Sequence, residues 1–238
     1  MAVQGLKDHV LEKHLDELHD HFDLERRQKD DNQSAAKQKI SHNPVVQRKW
    51  EELGPFSFDD SDFEGTLGER EMRKPYKCSD GAIYTGEWLI ASKTREGRGT
   101  LLYTAGDVFE GYWKDGKTNG KGRYIAQEGD IYEGQWKDNF RHGKGKQIWP
   151  NGETYEGDYY KDKREGEGVY RYANEQSYSG QWKDNVKHGF GTLTWSSGSK
   201  YQGPFVKDKF HGKGMYIYAD GRTRRGEWAD DKRIQWLE

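Results

Sequence analysis

At 238 residues the chain has room for one medium domain, or for a short tail ahead of a repeat array. Only 32% of it is hydrophobic, yet 14% is aromatic and its 30 glycines follow no triplet period, which excludes collagen and favours a packed aromatic core over disorder. A formal net charge of −2 leaves no electrostatic footprint for nucleic acid, and the single cysteine, Cys78, excludes an internal disulfide and a multi-cysteine metal site, as suits a reducing compartment.

Residues 1–55 read as a helical interaction segment. Leu11, Leu15, Leu18 and Phe22 recur at four, three and four, which is one helical stripe. The opening residues carry Lys7 and Asp8 and no long apolar run, so neither a signal peptide nor a transmembrane segment is expected. A second helix is predicted after Asn43-Pro44, with Asn43 as cap, Pro44 at the first position and Gly54-Pro55 as the stop. It places Val46, Trp50 and Leu53 on one side. Such stripes have little partner material within themselves. Leu11, Leu15, Leu18, Phe22, Val46, Trp50 and Leu53 are therefore the candidate docking stripe, facing the rest of the chain, another copy or a different protein. Acidic residues outnumber basic ones through residue 60, which opposes lying on anionic lipid.

Residues 56–79 read as an N-terminal cap or vestigial repeat. Phe63-Glu64-Gly65-Thr66-Leu67 sits 21 residues before Tyr84, but no Gly-x-Gly follows it.

Residues 80–238 are a ladder. An aromatic-x-Gly-x-aromatic unit occurs at Tyr84-Gly86-Trp88 and Phe109-Gly111-Trp113, and then every 23 residues to Tyr201-Gly203-Phe205; Arg224-Gly226-Trp228 closes the series. Gly-x-Gly pairs keep the same pitch from Gly97/Gly99 to Gly212/Gly214, so two extra residues in the first unit fall in the loop after Trp88. Within one unit, Ile131 to Trp136 alternates as a strand does, 137–139 is turn-prone, and Gly143 to Trp149 is a second extended run. The unit is a β-hairpin and the array a continuous antiparallel meander. Period two sends Tyr132, Gly134 and Trp136 to one face and Glu133 and Gln135 to the other, and alternating glycine leaves slots in which rings from adjacent strands lie flat. Inter-repeat glycines, Gly106, Gly129, Gly152, Gly198 and Gly221, mark positive-φ positions; Glu175 stands in the series once, with Asn174 the expected substitute.

Chemistry does not assemble along this chain. His14 and His19 are five apart and no His-Glu-x-x-His occurs, so no metal site is expected. No Gly-x-Gly pair continues as a phosphate loop. Cys78 has no assignable base, and Glu110, Glu133 and Glu156 form a row where a glycosidase needs one differentiated pair. The reading is no enzyme, no cofactor and no metal.

These residues resemble the MORN repeat. Tyr132-Glu133-Gly134-Gln135-Trp136-Lys137-Asp138-Asn139 with His142-Gly143-Lys144-Gly145, and Tyr178 to Asn185 with His188-Gly189-Phe190-Gly191, are similar to the family pattern. The resemblance covers roughly residues 80–228. It implies an elongated, twisted single-layer sheet with a groove, mostly β and preceded by short helices. It also implies a non-catalytic scaffold and protein-interaction subunit of a large cytoplasmic assembly. A ciliary axoneme or radial spoke is the first candidate address, by family analogy alone. The alternative is a peripheral adaptor at acidic phospholipid or cortical cytoskeleton, through a stripe of Lys114, Lys137, Lys161, Lys183 and Lys207. The candidate groove anchors are Trp88, Trp113, Trp136, Tyr159 and Trp182, because rings on one side of a curved sheet supply apolar anchors. The expected partners are other protein subunits, with phospholipid second and no nucleic acid.

Overall fold

The computed structural model describes residues 39–59, 63 and 65–237. Its core element is the hairpin. A seven-residue strand such as β4 (Val108–Lys114) turns in two residues into a nine-residue strand, β5 (Lys117–Ile125), and five residues lead to the next copy. The same lengths recur in β6 (Ile131–Lys137) and β7 (Phe140–Ile148), β8 (Thr154–Tyr160) and β9 (Lys163–Arg171), and β10 (Ser177–Lys183) and β11 (Val186–Thr194). Before them come β1 (Arg70–Lys77), β2 (Ile83–Leu89) and β3 (Thr94–Leu102). After them come β12 (Lys200–Val206), the short β13 (Lys209–Phe210) and β14 (Gly212–Ile217), β15 (Thr223–Ala229) and β16 (Lys232–Trp236).

Each strand pairs antiparallel with the next, except that β13 pairs only with β12, which continues to β14; the result is one sheet of sixteen strands among the described residues, with β1 and β16 as its unclosed edges. The 23-residue pitch is thus two strands and two turns, and the fold is the antiparallel meander of hairpins that the repeat predicts.

Turn chemistry sets the pitch. Both residues of the hairpin turns have positive φ, as at Asp138 (51°) and Asn139 (71°), the geometry whose twist matches the flanking strands. The second turn residue also ties each tip to the one before. Asn139 Oδ1 accepts from Thr118 N (2.8 Å), Asp162 Oδ1 from Arg141 N (2.9 Å) and Asn185 Oδ1 from Arg164 N (2.8 Å). Asn and Asp tolerate this backbone and carry the needed acceptor. Between repeats, Glu175 itself takes φ 66°, so the expected transfer of that role to Asn174 does not occur; Asn174 Oδ1 instead accepts from Gln176 N.

Register explains the glycines. Gly111, Gly122, Gly134, Gly145, Gly157 and Gly168 face one another across successive strands as one row. A Cβ at Gly145 would meet the Tyr132 ring, and one at Gly134 the backbone of Lys144 and Gly145. Bare backbone lets the rings lie on the sheet.

The second predicted helix forms as α1 (Pro44–Leu53), with Asn43 Oδ1 accepting from Val45 N and Val46 N and Gly54 at φ 72° ending it. Residues 39–59, with 63, 65 and 66, lie as a strap along the strands. Ser41 Oγ donates to Gly106 O (2.6 Å) at the inter-repeat turns, and Thr66 N donates to the buried Glu96 (2.5 Å) near the hairpin tips. The edge strand is Arg70–Lys77, later than Phe63–Leu67, where a vestigial strand is expected. Phe63 instead stacks on Tyr112 at 4.7 Å, because the strap crosses the face there.

Candidate functional site

The two faces of the sheet differ in kind. On the aromatic face, rings from adjacent strands meet edge to face: Tyr132–Trp136 and Tyr132–Tyr159 at 5.2 Å, Tyr155–Trp182 at 5.3 Å. Tyr132 Oη donates to Gln135 O (3.0 Å), as Tyr84, Tyr155, Tyr178 and Tyr201 do to the carbonyl three residues on. Trp113, Trp136 and Trp182 each donate from Nε1 to the carbonyl of a glycine fourteen residues back. The same count from Trp88 reaches Lys74 on the edge strand, where no glycine pair exists, and its Nε1 is buried without a partner among the described residues. Burial holds the phenols of this stack well above the ordinary tyrosine value, to about 12 for Tyr159 and Tyr201.

This packing corrects the choice of groove anchors. Trp88, Trp113, Tyr159 and Trp182 are buried and Trp136 half-buried, all within the ladder's own core. A single sheet has no second layer to cover its rings, so they cover one another and leave little area for an outside partner.

The opposite face is polar. Row by row it carries Glu110, Arg123, Glu133, Lys146, Glu156 and Val169 across β4 to β9. The neighbouring row begins apolar, with Val108, Ile125 and Ile131, and there α1 sits. Val46 and Trp50 are buried against these three residues, while Leu53 remains exposed. Trp50 Nε1 donates to Glu110 Oε1 (2.8 Å), Arg123 donates to Glu110 Oε2 (2.6 Å), and Arg123 also holds Gly54 O (2.7 Å). Of the candidate docking stripe, Val46 and Trp50 thus face this chain's own sheet. Leu11, Leu15, Leu18 and Phe22 lie outside the described residues.

Beyond the strap no described residue lies across this face. A groove of about 910 Å³ runs over β5 to β10, walled on one side by Phe56 and Ser57 and floored by glycine backbone, with Glu133, Lys146, Glu156 and Val169 along it. Both signs of charge alternate there, and Lys144 pairs with Asp158 at 2.8 Å. The residues that build this wall are not marked by the repeat, since Phe56 precedes it; the sequence signal available was the aromatic run Phe56, Phe58, Phe63 just after the helix.

Among the described residues no group of three or more His, Cys, Asp or Glu could hold a metal ion, and no helix is long and apolar enough to cross a membrane. The fold and its faces define a stacked-hairpin repeat module that presents surfaces, a protein-interaction scaffold. By sequence pattern the chain carries MORN repeats, matched at residues 109–131, 132–154, 155–177, 178–200 and 201–221. No curated protein matches the chain. Among solved structures it is similar to the SAS-4 (dCPAP) TCP domain of Drosophila melanogaster in complex with a proline-rich motif of Ana2, at 14% identity, covering 65% of this chain and 89% of that one with a TM-score of 0.38. The wild-type TCP10 domain of Danio rerio CPAP matches at 12% identity, covering 69% and 88%, with a TM-score of 0.25. Both scores are too low to carry an inference about this chain.

Proposed function

We propose that the chain is a structural subunit of a large cytoplasmic assembly, with a ciliary axoneme or radial spoke as its first address, and that its polar groove holds a helix or extended segment of a partner protein. One observation carries the binding mode: the adjacent half of the same face already holds a ten-residue helix, through Val46, Trp50 and the Glu110–Arg123 pair. The groove continues that surface past Phe56. Its alternating charges favour a partner of mixed charge, which they also orient. The ciliary address is supported by family analogy alone.

The test is to tag the intact chain in its native cells, crosslink, identify stable partners by mass spectrometry and image its location. Axonemal partners with a ciliary signal are expected, and Val169→Glu with Lys146→Glu should reduce their recovery. Cortical or membrane partners without axonemal ones would replace this reading with the adaptor. That alternative draws less support. The turn aspartates beside the lysine column share its edge, with Asp138 and Asp184 paired to Lys117 and Lys163, so net attraction to anionic lipid is small.

A further inference from the structure

One position of the aromatic face is built for a cation and lacks it. In the repeat of β8 and β9, Arg164 lies over three rings, with its Cζ 4.5 Å from the centroid of Trp182, 5.3 Å from Tyr170 and 5.6 Å from Tyr155. Its Nη2 donates to the Asn185 carbonyl at 2.7 Å. Arg95 does the same over Trp113 at 4.4 Å with the Gly116 carbonyl (2.8 Å), and Arg141 over Tyr159 at 5.4 Å with the Asp162 carbonyl (3.1 Å). Lys187 places an ammonium over Tyr178 and Phe205. The repeat-equivalent residue in β5 is Thr118.

The surroundings of Thr118 correspond to those of Arg164 position for position, two repeats earlier. Phe109, Tyr124 and Trp136 stand for Tyr155, Tyr170 and Trp182. Asn139 stands for Asn185 and accepts from Thr118 N at 2.8 Å just as Asn185 accepts from Arg164 N. Tyr124 Oη donates to Asp107 as Tyr170 Oη donates to Glu153. What is missing is the guanidinium. In its place is a cavity of about 550 Å³, lined by Phe109, Tyr124, Trp136, Asn139 and Asp130 among others. Thr118 lines it too, only 3% exposed, and its buried Oγ1 has no hydrogen-bond partner among the described residues.

Charge favours an incoming cation. Arg141 also lines the cavity, but it is paired with Asp162 at 3.1 Å; Lys187 holds the repeat-equivalent position next to the filled slot. Where the filled slot has the neutral Gln176, this one has Asp130, whose carboxyl is pushed above the usual range by burial. Trp136 is half-buried where Trp113, Tyr159 and Trp182 are buried, so the ring face left bare opens to solvent.

We propose that the cavity between Phe109, Tyr124 and Trp136 is a binding site for an arginine side chain supplied by a partner protein. The guanidinium takes the place that Arg164 fills in its own repeat: over the Trp136 ring, donating to the Asn139 carbonyl, with Asp130 as counter-charge. The source of the arginine rests on the scaffold reading; the ligand chemistry of the slot does not, and it is tested without any partner.

The probe is N-acetyl-arginine methylamide, titrated into the full chain while the indole N–H resonance of Trp136 is followed by NMR, with the citrulline analogue as neutral isostere. A saturable shift is expected, with the arginine probe binding roughly tenfold more tightly than citrulline. Thr118→Arg should abolish the response by filling the slot in cis and should raise the thermal midpoint. Asp130→Asn, a half-buried position that leaves the core intact, should weaken binding about threefold. Arg164→Thr should create a second saturable response at Trp182. No saturable shift, equal response to the two probes, or undiminished binding by both Thr118→Arg and Asp130→Asn would overturn the proposal. Failure to recover axonemal partners would leave these outcomes unchanged and count only against the assembly assigned above.

Discussion

Removing the indole of Trp50 tests the docking of α1 directly. Trp50 is 5% exposed, packs with Val46 on Val108, Ile125 and Ile131, and donates to the buried Glu110. Trp50→Phe keeps most of the apolar area and deletes one bond to a charged acceptor, so it should cost about 1.5–3 kcal/mol. Trp50→Ala also leaves a ring-sized void, and the cost should rise to about 3–5 kcal/mol. In a solenoid each repeat contacts its neighbours alone, so the loss should be local. Hydrogen exchange read by mass spectrometry over residues 108–131 should show it, with residues 178–221 as the internal control that stays protected. If Trp50→Phe matched wild type within about 0.5 kcal/mol, the indole–carboxylate bond would contribute nothing net. If protection fell equally in both windows, the strap would not be a local clamp and the packing argument would fail.

Three further outcomes follow from the same geometry. Gly145→Ala pushes a methyl into the Tyr132 ring and should destabilise by about 1–3 kcal/mol by chemical denaturation; a neutral result would show that the ring has room to move. Glu96→Gln keeps the shape of a fully buried side chain that accepts from Thr66 N and Asp115 N, but turns one acceptor into a donor. It should lower stability by about 1–3 kcal/mol in a urea titration. The buried phenols ionise above their unfolded value. Their contribution is intact below about pH 10 and is lost as pH rises toward about 12, where Tyr159 and Tyr201 titrate. Tyrosinate absorbance should therefore rise cooperatively with unfolding in that window, and a gradual rise in the folded protein would contradict the burial.

Much of this architecture is legible in the chain because every repeat states it again. The pitch sets two strands and two turns, and the glycine rows follow from register once rings and glycines alternate. What the sequence hid was the assignment of burial. An exposed groove anchor and a core ring have the same pattern in one strand, and which they are depends on whether a neighbouring ring covers them. Trp88, Trp113, Tyr159 and Trp182 are covered. The strap was half visible: Asn43, Pro44 and Gly54 mark α1, but nothing local says that Val46 and Trp50 meet strands sixty and more residues later. The arginine slot is also marked in the sequence. Arg95, Arg141, Arg164, Lys187 and Arg233 share one column, which Thr118 breaks and in which Phe210 supplies a ring instead of a cation.

The strap also imposes an order of events on synthesis. Its contacts reach 60 residues ahead from Trp50 to Glu110, 65 from Ser41 to Gly106 and 84 from Asn43 to Gln127, whereas each hairpin closes on residues just made. Local pairings form fast and distant ones wait. The strap is thus the first described part to leave the ribosome and among the last to find its place, after β4 to β6 have zipped. Until then the apolar row Val108, Ile125 and Ile131 stands open on the nascent chain, and any competing helix has its opportunity in that interval.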